Sequence, residues 1–192
     1  VQGDAMVLDL PTLIAEHFAG MPVVVCANLP YYITSPIIMR LLEGPLPIRS
    51  LTVMVQKEAA VRITAAPGTR ECGAISAAVW YYSTPKLLFP VSRGSFLPAP
   101  AVDSAVIRLD LPQELPEDLP PREDFFAVVR AGFGQRRKTM LNSLSAGLRW
   151  EKDATRALLT AAGIAENTRA EQVTLEQWKA LTRAYFSMKK SR

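Results

Sequence analysis

The sequence predicts an α/β domain with an open sheet, followed by a small domain made only of helices. Two apolar runs carry the first part of this prediction: residues 23–27 and 51–55 have the composition of buried strands, and helix-like segments follow both. The proline-rich segment 112–122 carries the second part, because only amphipathic helical patterns follow it. We therefore predict a first domain over residues 1–111, a linker over 112–122 and a helical domain over 123–192.

The first domain alternates helices and strands along its length. Residues 6–19 predict the end of a short strand and then a helix, because their apolar residues recur at helical spacing. Ser35 and Pro36 predict the start of the next helix, as an N-cap followed by proline at the first helical position. Similar helical patterns predict helices at 36–43, 58–65 and 74–82. Further strands are predicted at 86–91 and 104–111, the latter because apolar residues at 105, 107 and 109 alternate with residues 106, 108 and 110.

The C-terminal third differs from the rest of the chain in both pattern and charge. Residues 123–192 predict three or four short helices, the last of them opened by a capping box from Thr174 to Gln177. This part carries 13 Lys/Arg against 7 Asp/Glu, a net +6, whereas residues 1–122 carry 9 against 11, a net −2. Such a basic module suggests a phosphate-backbone partner, although a charged helical face is also typical of solvated surface.

Composition excludes several classes of protein. The chain is 49% hydrophobic over 192 residues, which is ample for a packed core. No apolar run approaches the roughly 20 residues needed to span a bilayer, so we expect a cytoplasmic protein without a membrane segment. Two cysteines without ligand spacing and a single histidine argue against a metal site. Because the chain starts at Val1 and enters the fold abruptly, we expect it to be a piece of a longer protein.

The candidate site is the turn Asn28-Leu29-Pro30-Tyr31, directly after the first apolar strand. In open α/β sheets ligands bind outside the carboxyl ends of the strands, where this turn is expected to lie. Asn28 offers an amide acceptor and two donors, and Tyr31 offers a flat face for stacking. These groups suit a planar, hydrogen-bonding ligand such as a nucleobase, but Asn28 and Pro30 are also typical of an ordinary strand-to-helix turn.

A second unusual loop runs from Phe96 to Ser104. Its prolines at 98 and 100 exclude a helix, and an aromatic residue stands at its start. Taken alone, this pattern favours a rigid crossover between two antiparallel strands.

Five stretches, taken together and in order, give the chain a family resemblance that covers almost its whole length. They are residues 28–31 (NLPY), 56–58 (QKE), 96–104 (FLPAPAVDS), 135–144 (QRRKTMLNSL) and 169–171 (RAE). The chain resembles the ribosomal RNA adenine N6-dimethyltransferases, in particular the bacterial small-subunit dimethyladenosine transferases. The resemblance implies a seven-stranded Rossmann-like domain that binds S-adenosylmethionine, followed by a small helical domain that helps to hold ribosomal RNA.

The resemblance also implies roles for individual residues. Asp4, with Ala5 beside it, would bind the adenine of the cofactor, and Asn28 would line both the methyl-donor pocket and the target site. The target adenine, out of its stack, would lie between Tyr31 and Phe96. The implied sets are catalytic Asn28, Leu29, Pro30, Tyr31 and Phe96, cofactor-binding Asp4, Ala5 and Asn28, and RNA-binding Arg136, Arg137 and Lys138.

One part of the family pattern is absent from these residues. The glycine-rich loop that cradles the methionine part of the cofactor belongs upstream of Gly3, so we expect an incomplete Rossmann-like domain that by itself binds S-adenosylmethionine weakly or not at all.

Three functions follow from the sequence. The first is dimethylation of adenines in 16S ribosomal RNA, within a small subunit or its precursor, by an enzyme that is monomeric when complete. The second is a resistance-type methyltransferase of large-subunit RNA, and the third is a non-catalytic RNA-binding or ribosome-assembly module.

Overall fold

The structure is a computed structural model that describes residues 1–114, 116–117 and 119–190. The chain forms two compact units. The first consists of residues 1–64 and 79–114, and the second of residues 65–78 and 115–192.

The first unit contains all four strands together with helices, and the described elements of the second unit are helical. The strands are β1 (Val23–Asn28), β2 (Ile48–Gln56), β3 (Thr84–Val91) and β4 (Ser104–Asp110). The helices are α1 (Leu10–Phe18), α2 (Thr34–Glu43), α3 (Lys57–Thr64), α4 (Ala74–Tyr82), α5 (Arg122–Phe133), α6 (Met140–Leu148), α7 (Lys152–Ala161) and α8 (Leu175–Lys190). Three short 3-10 turns occur at Tyr31–Ile33, Arg93–Ser95 and Ala170–Gln172.

The four strands form one mixed sheet in the order β1-β2-β4-β3. β1 and β2 are parallel, and β4 runs antiparallel to both β2 and β3. The alternation predicted for residues 104–111 is confirmed, because Ala105, Ile107 and Leu109 are buried while Arg108 between them is exposed. This placement makes β4 the centre of the sheet's antiparallel half.

The structure confirms the prediction that β1 is a strand but not the prediction of its burial. The strand is present and pairs in parallel with β2, but the prediction that it is buried is wrong. Val24 is 66% exposed and Cys26 is exposed as well, since β1 lies at one edge of the sheet and pairs only with β2 among the described residues. An apolar run predicts a strand, but it does not predict which elements pack against the two faces of that strand.

The local predictions fail at two helix starts. Residues 1–9 contain no strand: the Val7 and Leu8 N–H groups both donate to the Asp4 carbonyl in a turn, and α1 follows. Ser35 is not the N-cap of α2, because the helix already begins at Thr34, whose hydroxyl donates to the Pro30 carbonyl at 3.1 Å. The preceding 3-10 turn leads directly into the helix and takes the place of a side-chain cap.

The second unit is a small helical assembly with the predicted capping box at its last helix. The Gln177 side chain accepts from the Thr174 N–H at 3.0 Å, and the Thr174 hydroxyl accepts from the Gln177 N–H at 3.3 Å. α5 and α6 approach so closely that a Cβ on Gly147 would lie 2.6 Å from the Cα of Ala131. Trp178 on α8 is fully buried and stacks on Phe133.

The predicted domain limits, 1–111 and 123–192, stay predictions. The described residues of the predicted linker form neither helix nor strand before α5 begins at Arg122, and residues 115 and 118 lie outside the described part of the chain. Residues 65–78 group with the second unit, which no pattern in the sequence indicates. Within the described ranges, no helix combines the length and apolar character needed to cross a membrane.

Candidate active site

The turn after β1 is held by a backbone hydrogen bond to the neighbouring strand, β2. Asn28 ends β1 opposite Met54 of β2, and the Leu29 N–H donates to the Met54 carbonyl at 3.1 Å. The Leu29 side chain is buried, whereas Asn28 and Pro30 are exposed. The buried leucine therefore anchors a turn whose polar end faces outward at the carboxyl edge of the sheet, as the sequence predicts.

Tyr31 is held at both ends. Its backbone begins the 3-10 turn, in which the Pro30 carbonyl accepts from the Ile33 N–H at 3.2 Å. Its hydroxyl shares a 2.8 Å hydrogen bond with the hydroxyl of Ser104, which is fully buried at the start of β4. The phenol ring therefore has a fixed position at the end of the sheet.

The loop that carries Phe96 is a structured connection between β3 and β4. A 3-10 turn, Arg93–Ser95, precedes Phe96, and the Phe96 N–H donates to the Arg93 carbonyl at 3.3 Å. The Asp103 carboxylate accepts from the Arg93 N–H at 3.0 Å, which ties the two ends of the loop together. Leu97 at its tip is fully exposed, and the peptide bond between Leu97 and Pro98 is cis.

One cavity of about 330 Å³ brings the two loops together. Its size suits a small planar ligand. Its lining contains all five residues predicted as catalytic and two prolines of the second loop: Asn28, Leu29, Pro30, Tyr31, Phe96, Pro98 and Pro100. The loop from Phe96 to Ser104 is therefore both the antiparallel crossover expected from its prolines and part of the wall of this cavity.

The described residues that line the cavity provide hydrogen-bonding groups but no strong base. Within the described ranges, neither the Asn28 side-chain amide nor the Leu29 carbonyl has a protein partner. Among the described residues, the lining of the cavity contains no carboxylate, histidine or lysine. These groups can accept hydrogen bonds from a ligand amine and can stack a ring, but they cannot remove a proton from a weak acid.

Asp4 and Ala5 lie outside the lining of this cavity, in a turn tied to α2. One Asp4 carboxylate oxygen accepts from the Met6 N–H at 2.8 Å. The Arg40 guanidinium donates to the Ala5 carbonyl at 2.7 Å and also to the Leu8 carbonyl. The second Asp4 oxygen has no hydrogen-bond partner in the described part of the chain, so it can accept a bond from a ligand.

The neighbouring carboxylate of Asp9 is occupied with capping α1. It accepts from both the N–H and the hydroxyl of Thr12. These bonds, with a smaller contribution from the Arg40 charge, lower the pKa of Asp9 below its ordinary value.

Arg136, Arg137 and Lys138 belong to the second unit and are exposed. They lie in the connection between α5 and α6 and do not enter a helix directly, because α6 begins at Met140. The Gln135 carbonyl accepts from the Lys138 N–H at 2.9 Å and from the Ser143 hydroxyl at 3.3 Å, which gives the connection a defined shape.

Sequence reasoning missed two structural partners of the predicted residues. Ser104 belongs to one of the motifs of the family resemblance, but the motif does not indicate that its hydroxyl binds Tyr31. The sequence shows Arg40 only as the basic residue in the last turn of α2, and no pattern predicts that it binds the carbonyls of the turn that contains Asp4 and Ala5.

The fold is that of the Rossmann-like methyltransferases that act on ribosomal RNA. A crystal structure of a dimethyladenosine transferase from Plasmodium falciparum matches with a TM-score of 0.75 at 22% identity, covering 97% of this chain and 72% of that chain. A crystal structure of the 23S rRNA methyltransferase ErmE matches with a TM-score of 0.66 at 26% identity, covering 96% and 70%.

The chain belongs to the ribosomal RNA adenine dimethylase family, whose family model matches residues 1–186. Ribosomal RNA small subunit methyltransferase A of Alkaliphilus oremlandii (strain OhILAs) is 50% identical over 183 residues, covering 94% of this chain and 63% of that protein. The protein of the same name from Clostridioides difficile (strain 630) is 42% identical over 182 residues, covering 95% and 63%. This chain thus spans 63% of the length of these two relatives.

Proposed function

We propose that this chain carries the target-base site of an enzyme that uses S-adenosylmethionine to dimethylate N6 atoms of adenines in 16S ribosomal RNA. The observation that carries the proposal is the cavity in which the unpaired Asn28 amide opens beside Tyr31 and Phe96. Membership of the family supports a ribosomal RNA adenine as the acceptor. Relatives that bear the name small subunit methyltransferase A support the small subunit, or its precursor, as the partner.

The polar groups of the turn suit an exocyclic amine. The amine of adenine is a poor nucleophile, because its lone pair is delocalised into the ring. Its two N–H groups would donate to the Asn28 side-chain oxygen and to the Leu29 carbonyl, which favours a pyramidal nitrogen with a localised lone pair. This contribution is geometric and electrostatic, so the cavity needs no strong base.

When bound, S-adenosylmethionine supplies an electrophilic methyl group on a sulfonium centre. The residues of this chain that fit it are Asp4, which keeps one carboxylate oxygen open, Ala5 beside it, and Asn28. Asn28 would orient the acceptor nitrogen in line with that methyl group. As the acceptor nitrogen takes the methyl group, the sulfur–methyl bond would break and leave its electron pair on the sulfur as a neutral thioether. The nitrogen would then carry the positive charge and lose a proton to water, which restores a neutral amine that can accept a second methyl group.

The two aromatic residues would keep the base in the cavity. An adenine must leave its stack to reach Asn28, which costs a few kcal/mol, and stacking on aromatic side chains returns roughly 1–3 kcal/mol per base. Tyr31 and Phe96 stand on two separate loops of the same cavity, so the base would be held between them.

The function is tested with Asn28→Ala in the full protein that contains these residues. We expect transfer of labelled methyl groups into undermethylated small-subunit particles to fall by roughly 10²- to 10³-fold, because an interaction specific to the transition state is lost. RNA binding should stay unchanged. The matched control is Asn167→Ala, which removes an exposed asparagine of the second unit.

Each outcome of this assay has a distinct meaning. Wild-type transfer into large-subunit particles in place of small-subunit particles would identify a resistance-type enzyme. RNA binding by the wild type without any transfer would identify a non-catalytic module. Equal transfer by Asn28→Ala and the wild type would overturn the role of Asn28.

The basic connection between α5 and α6 is proposed to contact RNA phosphates. Replacing Arg136 and Arg137 by glutamine should weaken RNA binding and reduce the slope of log affinity against log salt by roughly one per lost phosphate contact. The control is Arg156→Gln, because the Arg156 guanidinium is already paired with Asp153 and Glu166. A salt slope that does not change in the double variant would remove this connection from the RNA contacts.

A further inference from the structure

Ser104 links Tyr31 to the centre of the sheet. It is fully buried, and in the sheet register it lies opposite Gln56 of β2 and Val91 of β3. Its hydroxyl meets the Tyr31 hydroxyl at 2.8 Å. A hydroxyl held between two strands has a fixed position, so the far end of the Tyr31 ring is fixed by the sheet and not by the turn that carries it.

Asp103, the preceding residue, makes two further connections at the same point. Its carboxylate accepts from the Arg93 N–H at 3.0 Å, at the start of the 3-10 turn that leads to Phe96. Its carbonyl accepts from the Lys57 N–H at 3.0 Å, where β2 passes into α3. One short segment therefore connects to the loop of Phe96 and to the main body of the first unit.

We propose that Asp103 and Ser104 are positioning residues that hold the two aromatic walls of the cavity, Phe96 and Tyr31, at a separation that admits one base. This rests on the proposed function, which assigns stacking to both aromatic residues. Neither residue lines the cavity, so both act through the walls and not on the base.

The chemistry of the two bonds explains why these residue types suit the positions. A tyrosine ring tied at its backbone and at its hydroxyl loses its rotational freedom before the base arrives, so binding does not have to order it. The Arg93 N–H needs only an acceptor oxygen, so the charge of Asp103 is not required for the proposed role. A short hydroxyl side chain at position 104 reaches the phenol without filling the cavity.

The first test is a double-variant cycle in the full protein, using Tyr31→Phe, Ser104→Ala and the pair together. Tyr31→Phe keeps the ring and removes only its hydroxyl, so it does not threaten folding. We expect each single variant to lower the single-turnover methyl-transfer rate about 3- to 10-fold, the effect of one ordinary hydrogen bond. The double variant should be no slower than the slower single variant, because both changes remove the same bond.

The matched controls are Tyr32→Phe and Ser83→Ala, which should transfer at the wild-type rate. Tyr32 is the neighbouring tyrosine and its exposed ring has no hydrogen bond within the described ranges. Ser83 is a buried serine of the same unit, and its hydroxyl donates to the Val79 carbonyl of the preceding helix, α4, at 2.9 Å. These controls separate loss of the Tyr31 bond from the general effect of deleting a hydroxyl.

The second test uses Asp103→Ala and Asp103→Asn. Asparagine presents the same acceptor oxygen to the Arg93 N–H, so Asp103→Asn should restore most of the rate that Asp103→Ala loses. Affinity for RNA and for S-adenosylmethionine should not change in either variant, since the effect is confined to the rate with both bound.

The results separate the two proposals. If the wild type transfers no methyl groups to ribosomal RNA, the proposed function fails. If it does transfer them and Tyr31→Phe is as fast as the wild type, or the losses of Tyr31→Phe and Ser104→Ala multiply in the double variant, the positioning role of Ser104 is overturned. Equal losses in Asp103→Ala and Asp103→Asn would overturn the role of Asp103.

Discussion

Phe96 offers the most direct quantitative test of the cavity. It is half-buried in the loop between β3 and β4 and does not belong to the buried core of the first unit. Phe96→Ala should therefore change the free energy of unfolding by no more than about 0.5 kcal/mol, the usual range for substitutions outside the core. Phe96→Ala should instead weaken the stacking of the proposed target base in the cavity.

The size of that effect follows from the two walls of the cavity. Phe96 and Tyr31 are the aromatic residues in its lining, so Phe96→Ala removes one stacking face and leaves the other. Stacking contributes roughly 1–3 kcal/mol per base, which corresponds to about a 5- to 150-fold loss of methyl-transfer rate. Phe96→Trp should retain most of the rate, whereas Phe96→Leu should lose nearly as much as alanine, because leucine fills space without a π-face.

The assay is single-turnover transfer of labelled methyl groups into undermethylated small-subunit particles by the full protein. Phe89→Ala is the matched control, since Phe89 is an exposed phenylalanine on β3 and does not line the cavity. Wild-type activity in Phe96→Leu would refute stacking as the role of Phe96. A large fall in the unfolding midpoint of Phe96→Ala would show instead that the side chain supports the fold.

Three further predictions concern stability and reactivity. Gly147→Ala should lower the free energy of unfolding by about 1–3 kcal/mol in urea, because its Cβ would overlap α5. The Arg108 guanidinium holds the pKa of Asp110 below its ordinary 3.8, so Asp110→Asn should cost about 0.5 kcal/mol at neutral pH and nothing once the pH has fallen through that lowered pKa. Burial raises the pKa of the Cys72 thiol, so iodoacetamide should modify exposed Cys26 first and Cys72 only on unfolding.

These three predictions have simple controls. Ala146→Ser changes the exposed neighbour of Gly147 and should leave the urea midpoint unchanged, whereas an unchanged midpoint in Gly147→Ala would contradict the close approach of α5 and α6. A stability difference for Asp110→Asn that persists unchanged once the pH has fallen through the lowered pKa of Asp110 would exclude the ion pair as its cause. Equal alkylation rates of the two cysteines in the folded chain would contradict the burial of Cys72.

The elements of the fold could be predicted largely from local pattern. The alternation of residues 104–111 and the capping box at Thr174 depend on neighbours within a few positions, and both are confirmed. The strand end predicted before α1 is wrong. A turn at Asp4 bonds the Val7 and Leu8 N–H groups to the Asp4 carbonyl, and the apolar pattern does not distinguish this turn from a strand. The burial of β1 could not be predicted from its local sequence either, because the exposure of Val24 depends on which elements lie beside β1 in the folded chain.

The candidate site was predictable in its parts but not in its assembly. The composition of the turn at Asn28 suggested a ligand, whereas that of the loop at Phe96 favoured an antiparallel crossover, and only the family resemblance assigned Phe96 to the site. Composition does not show that the two segments line the same cavity. The bond between Tyr31 and Ser104 joins residues 73 positions apart, and no periodicity extends over that distance. The grouping of residues 65–78 with the helical unit is likewise a property of the folded chain alone.

The position of β4 between β2 and β3 sets the time at which the site can form during synthesis. β2 and β3 are synthesised before β4, and they do not pair with each other. The sheet can therefore join them only after residues 104–110 have left the ribosome and formed β4 between them. Only then can Ser104 meet Tyr31, so contacts of high sequence separation complete the cavity last. A nascent chain that ends before residue 104 contains both aromatic side chains, but the bond that positions Tyr31 cannot form until Ser104 has been made.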